Sequence, residues 1–154
     1  MSEMHGELPT ILPEMTVASL RGSHVQIPFS QIEMISISDF WDGPLMGMAG
    51  YAGQVYWYNI IAPSDGEETA NPGFDGFGEP RAFALFQLTE AQLREEQRWH
   101  SLFEEKVGTH WSCKREARGE LKPASMHREF FEPASKRDRL DLRSATVVGW
   151  FEMP

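Results

Sequence analysis

The chain is poor in the residues that announce a chemistry. A single cysteine, Cys113, stands among 154 residues, so no intramolecular disulfide framework is open to it and a reducing compartment suits it. Basic side chains are scarce: 14 Lys and Arg against 23 Asp and Glu leave a net charge of −9. Clustered cations that neutralise phosphates are therefore lacking, which argues against a nucleic-acid partner. No apolar run reaches the roughly 20 residues that span a bilayer. The opening MSEMHGELPT shows neither the basic nor the apolar stretch of a secretory signal. A cytoplasmic protein without a membrane partner is the expectation. Nucleophile elbow, Walker A, HExxH and paired CxxC motifs are missing, so neither a cofactor nor a metal is expected.

What the chain does have is aromatic weight: five Trp, ten Phe and three Tyr, which favour strands and bury large areas. Its charge is also uneven. Residues 1–113 hold 16 acidic and 5 basic side chains, whereas residues 114–143 hold 6 and 9. An acidic body thus carries a mildly basic segment, expected to fold back on the body or stay solvated.

Residues 1–24, with Pro9 and Pro13, read as an irregular arm with one strand near Val17–Leu20. In EMISISDFW, Ile35 and Ile37 alternate with Ser36 and Ser38, the period of two of a half-buried strand. Gly43 and Pro44 then reverse the chain, with Asp42 as the turn acid. That parity leaves Asp39 on the apolar face, where a cation such as Arg81 or His100 would have to partner it. Strands follow at about Met46–Tyr51 and Gln54–Ile61, joined by Ala52-Gly53 as a hairpin. Gly47 and Gly50 would admit another backbone or a ligand close to the first of them. QVYWYNII is apolar or aromatic on both faces, as a central covered strand would be. Residues 62–80 form a Gly-, Pro- and acid-rich loop, residues 81–88 another strand, and 145–152 a last one.

Between the last two strands, residues 89–107 predict an amphipathic helix: Thr89 as N-cap, Glu90 in the first turn, Lys106 in the last and Gly108 as the stop. Residues 109–143, interrupted by Pro123 and Pro133, read as an irregular charged segment. The class is α+β, one globular domain over 1–154, with an antiparallel sheet of about five strands and the helix on one face.

Three groups of residues merit consideration as sites. On the helix, Leu93, Trp99, Phe103 and Val107 define the apolar stripe, and Glu96 and His100 fall inside it one turn apart. A hydrogen-bonded Glu96–His100 pair would be structural, or half of a general-base or metal site completed by Asp39, His110 or Cys113, although the spacing matches no zinc signature. Cys113 beside Trp111 reads better as a small buried apolar residue than as a nucleophile. The second group is the loop acids Asp65, Glu67, Glu68, Asp75 and Glu79; Ala70 stands where an EF-hand needs glycine, so calcium is not indicated. Phe74 and Phe77 would be the apolar tips of a lid. Third, Tyr56, Trp57 and Tyr58 offer an aromatic contact surface.

No complete catalytic set is present. The reading is therefore a non-enzymatic binding protein, a small acidic module that recognises another protein, such as a basic one, in the manner of an immunity protein or antitoxin. The alternatives are a small-ligand-binding protein or small enzyme, with a pocket between helix and sheet built on Glu96, His100 and Asp39, and a homo-oligomer assembled through an aromatic sheet face.

Overall fold

The computed structural model describes residues 9–40, 44–62, 80–108 and 123–154. The architecture is α+β. Strands β1 (Thr10–Ile11), β2 (Glu33–Met34), β3 (Asp39–Phe40), β4 (Pro44–Tyr51), β5 (Gln54–Ile61), β6 (Arg81–Gln87), β7 (Leu140–Asp141) and β8 (Thr146–Met153) are joined by helices α1 (Val17–Ser23), α2 (Glu90–Lys106) and α3 (Ala124–Ala134). The main sheet is antiparallel in the order β2-β4-β5-β6-β8, with β3 also pairing β4. The two short strands β1 and β7 pair in parallel as a separate ribbon.

The expected central strand is β5, flanked by β4 and β6 and buried on both faces. On one face Tyr58 meets Phe83 edge-on at 5.6 Å, Phe83 stacks on Phe151 at 5.4 Å, and Phe29 covers Phe151 at 5.9 Å. Full burial of such rings contributes about 1.5–3 kcal/mol each, with a further increment from the ring pairing. On the other face lies a polar node. Asn59 Oδ1 accepts from Thr10 Oγ1 at 2.9 Å and from Trp57 Nε1 at 3.2 Å, all three side chains being buried. The node satisfies groups that would otherwise be costly to bury, and it fastens β1 to the sheet.

The chain from Val25 to Phe40 guards both long edges of the sheet. At its start Ile27 N–H donates to Trp150 O at 2.7 Å and Trp150 N–H to Val25 O at 3.0 Å. It then crosses the aromatic face through Phe29 and Ile32 and ends in β2 and β3 on the edge of β4. Covering edges in this way blocks edge-to-edge association of sheets.

Three expectations change. Residues 17–20 are helical rather than extended, because Thr16 caps them: its Oγ1 accepts from Ser19 N–H at 3.2 Å and Ser19 Oγ accepts from Thr16 N–H at 2.9 Å. The expected alternation through Ile35 and Ile37 breaks at Ser36. Ile35 and Ser36 N–H both donate to Met48 O, and buried Ser36 Oγ takes the Met48 N–H at 3.0 Å, so the strand is interrupted between β2 and β3. Lastly, the segment expected to be irregular contains α3 and β7. Pro123 sits at the N-cap position of α3, where no intrahelical N–H is lost, whereas Pro133 lies in its last turn and forgoes an intrahelical hydrogen bond. No helix among the described residues is long and apolar enough to cross a membrane.

Candidate functional site

The capping predicted for α2 is present. Thr89 Oγ1 accepts from Gln92 N–H at 3.1 Å, and Gln92 Oε1 accepts from Thr89 N–H at 3.0 Å. This reciprocal box fixes where the helix starts and hence which residues face inward. Leu93 packs against the sheet core. About two and three turns later the stripe turns to α3 instead: Trp99 lies edge-on to Phe130 at 6.0 Å, and Phe103 to the same ring at 5.2 Å. Phe130 in turn meets Phe131 at 5.0 Å. This aromatic series ends at the surface, since Phe131 is 50% exposed.

Charged groups frame the indole of Trp99. The guanidinium carbons of Arg98 and Arg137 each lie 4.9 Å from the ring centroid, within cation–π range. Glu95 accepts from Trp99 Nε1 at 2.9 Å and from Arg98 Nη2 at 2.7 Å. The Arg98 hydrogen bond holds the Glu95 carboxyl below its ordinary range, against a smaller opposing effect of desolvation. Glu96, with a side chain only 3% exposed, is bound by both terminal nitrogens of Arg137. That fork–fork geometry is the arrangement best able to offset the desolvation of a carboxylate.

The nominated pair is therefore not formed: Glu96 engages Arg137, while His100 lies 3.4 Å from Glu104 on its own helix. Sequence spacing brings Glu96 and His100 to one helix face but says nothing of a competing cation from beyond α3, and a guanidinium compensates a buried carboxylate more fully than an imidazole. Asp39, half-buried, sits on β3 opposite Met46, at the edge of the sheet. A shallow, open depression lies on the outer face of α2, lined by Ala91, Arg94, Glu95, Gln97, Arg98 and Ser101, and not between helix and sheet. Among the described residues no group of three His, Cys, Asp or Glu side chains is placed to hold a metal ion.

The aromatic contact surface on β5 also needs correction. Trp57 and Tyr58 are 2% and 0% exposed and belong to the core, because both faces of β5 are covered; Tyr56 remains half-buried. Tyr58 Oη donates to Ser36 O at 2.9 Å, a structural role. Asp42, Phe74, Phe77, His110 and Cys113 lie outside the described residues.

Sequence reasoning missed Phe130, Phe131 and the role of Arg137. A signal was present: Met126, Phe130 and Ala134 recur at four-residue intervals, a helical stripe obscured by Pro123 before it and Pro133 within it. No family model, no curated protein and no solved structure matches this chain.

Proposed function

We infer that the protein is a non-enzymatic binding module that recognises another protein through the α2–α3 face. The observation that carries this reading is the aromatic series Trp99–Phe130–Phe131, buried at one end and half-exposed at the other, beside the guanidinium groups of Arg98 and Arg137. Aromatic and arginine side chains are the types enriched where one protein anchors another. A basic partner is favoured by the net charge of −9, which accelerates encounter with a cationic surface. The nominees for a catalytic set support the same choice, since Glu96 and His100 are engaged in separate pairs.

The reading is tested by affinity capture from native lysate at low salt, run in parallel with wild type and Phe131→Glu. Wild type retains a stoichiometric partner that elutes as salt is raised, and Phe131→Glu loses it while keeping its thermal transition. A partner retained equally by both forms places recognition elsewhere. A wild type that elutes alone, and monomeric by light scattering, counts against a binding role.

A further inference from the structure

Among the described residues there are two apolar clusters, not one. The sheet core takes from α2 only Leu93, and nothing from α3, whereas Trp99, Phe103, Phe130 and Phe131 pack among themselves. The main packing partner of α3 is α2. Taken alone, α3 is a weak helix: 11 residues, no side-chain N-cap bond, no acid in the first turn, no base in the last, and Pro133 inside it. Helices shorter than about 12–15 residues are marginal in water without tertiary support. The chain that follows α3 is anchored to the body. Arg139 donates to Thr10 O at 2.8 Å, Leu140 N–H to Pro9 O at 2.9 Å, and Gln92 Nε2 to Asp141 O at 3.0 Å.

We propose that α3 is a clasp that lifts off α2 while the sheet remains folded, with the Glu96–Arg137 ion pair as its latch and Asp138, between that latch and the anchored Arg139, as its hinge. Glu96 is the one charged residue in the buried class among the described residues. Its carboxylate is tolerable there only while Arg137 stays in place. Arg137 lies three residues past the end of α3, tied to it by its N–H bond to Ala134 O and that of Lys136 to Pro133 O, so docking of the helix and pairing of the carboxylate are one event. A second cross-pair, Lys106–Glu129 at 2.7 Å, joins the same two helices but is largely solvated on the Glu129 side and contributes little. Opening uncovers Trp99, Phe103 and Phe130. The sheet edges stay closed because the chain from Val25 to Phe40 guards them independently of α3. The clasp does not depend on the binding function inferred above.

Hydrogen exchange read by mass spectrometry on the full chain tests this. In wild type, α3 amides are expected to exchange by an opening that leaves the β5 and β6 amides protected. Arg137→Gln and Glu96→Gln each accelerate α3 exchange roughly tenfold or more with unchanged β5 and β6 rates. Arg137→Gln, which strands a buried carboxylate, is the more severe. The double variant Glu96→Gln/Arg137→Gln recovers part of the protection that Arg137→Gln loses, and Lys106→Gln changes little. Three results would overturn the clasp: common exchange rates for α3 and β5 in wild type, variants with wild-type α3 protection, or unfolding of the sheet together with α3 in Arg137→Gln.

Discussion

Gly47 offers the sharpest test of how the chain from Val25 to Phe40 is held on the sheet. A Cβ at Gly47 would lie 2.1 Å from Ser36 O, 2.9 Å from Ser36 C and 2.9 Å from Tyr58 Oη. The first two atoms are backbone and cannot rotate away, so in Gly47→Ala the segment must shift off β4. The shift strains the Tyr58 Oη–Ser36 O bond of 2.9 Å and the Ser36 Oγ–Met48 N bond of 3.0 Å. Overpacking costs about 1–3 kcal/mol, and a buried hydroxyl that loses its partner costs about 1–3 kcal/mol more. Reduced freedom of the unfolded chain offsets about 0.4–1 kcal/mol. The net is a loss of about 3 kcal/mol, or roughly 6–12 °C in Tm for a domain of this size. Two other glycines serve as controls. At Gly50 the nearest atom is Glu33 Oε1 at 3.3 Å, the free end of a flexible side chain, so Gly50→Ala should be nearly neutral. At Gly22, in α1, nothing lies within 4 Å, and Gly22→Ala should stabilise by about 0.5–1 kcal/mol. Urea unfolding of the three variants should therefore rank Gly22→Ala above Gly50→Ala, and both far above Gly47→Ala. A Gly47→Ala midpoint equal to that of Gly50→Ala would refute the close approach of Ser36.

The β4–β5 turn places Ala52 at φ 52 and Gly53 at φ 80, so Ala52→Asn should raise Tm by about 2–4 °C by supplying a residue that tolerates the left-handed region. Asn59→Leu should cost about 2–4 kcal/mol in urea unfolding, because it strands the buried donors of Thr10 and Trp57; a neutral result would mean that the node is dispensable. Asp141 is held at about 2, below its ordinary 3.8, chiefly by the side-chain hydrogen bond from Arg143 and next by the Arg143 backbone N–H. A carboxyl with a depressed folded pKa adds stability that is present above pH 3.8 and lost as pH falls toward 2. Stability measured across that window should fall less steeply in Asp141→Asn than in wild type.

Residue pattern and fold agree where local chemistry and tertiary context point the same way. The two-sided apolar character of QVYWYNII gives a central strand, and Thr89 followed by Glu90 gives the start of α2. The suspicion that Gly47 admits another backbone is met by Ser36. Disagreement arises where a side chain substitutes for backbone pairing. Ser36 reads as an outward residue in a period-two strand, yet its hydroxyl takes a ladder hydrogen bond and turns it inward. Thr16 and Ser19 cap one another with hydroxyls, a weaker pattern than Ser/Thr followed by Glu/Gln, so the helix beyond them reads as a strand. The pattern of α2 places Glu96 on its apolar stripe, and Glu96 is buried, though against Arg137 rather than the sheet. That partner is not legible in the sequence, because Arg137 is 41 residues away and only the docking of α3 brings it there.

The central functional claim is that recognition occurs on the α2–α3 face and not on the sheet. Hydrogen exchange of the protein with and without its captured partner tests this most directly. Protection gathered on residues 98–106 and 124–134, with β5 amides unchanged, is the result predicted. Protection confined to the sheet edges, or no local protection on α2 and α3 at saturating partner, would contradict it.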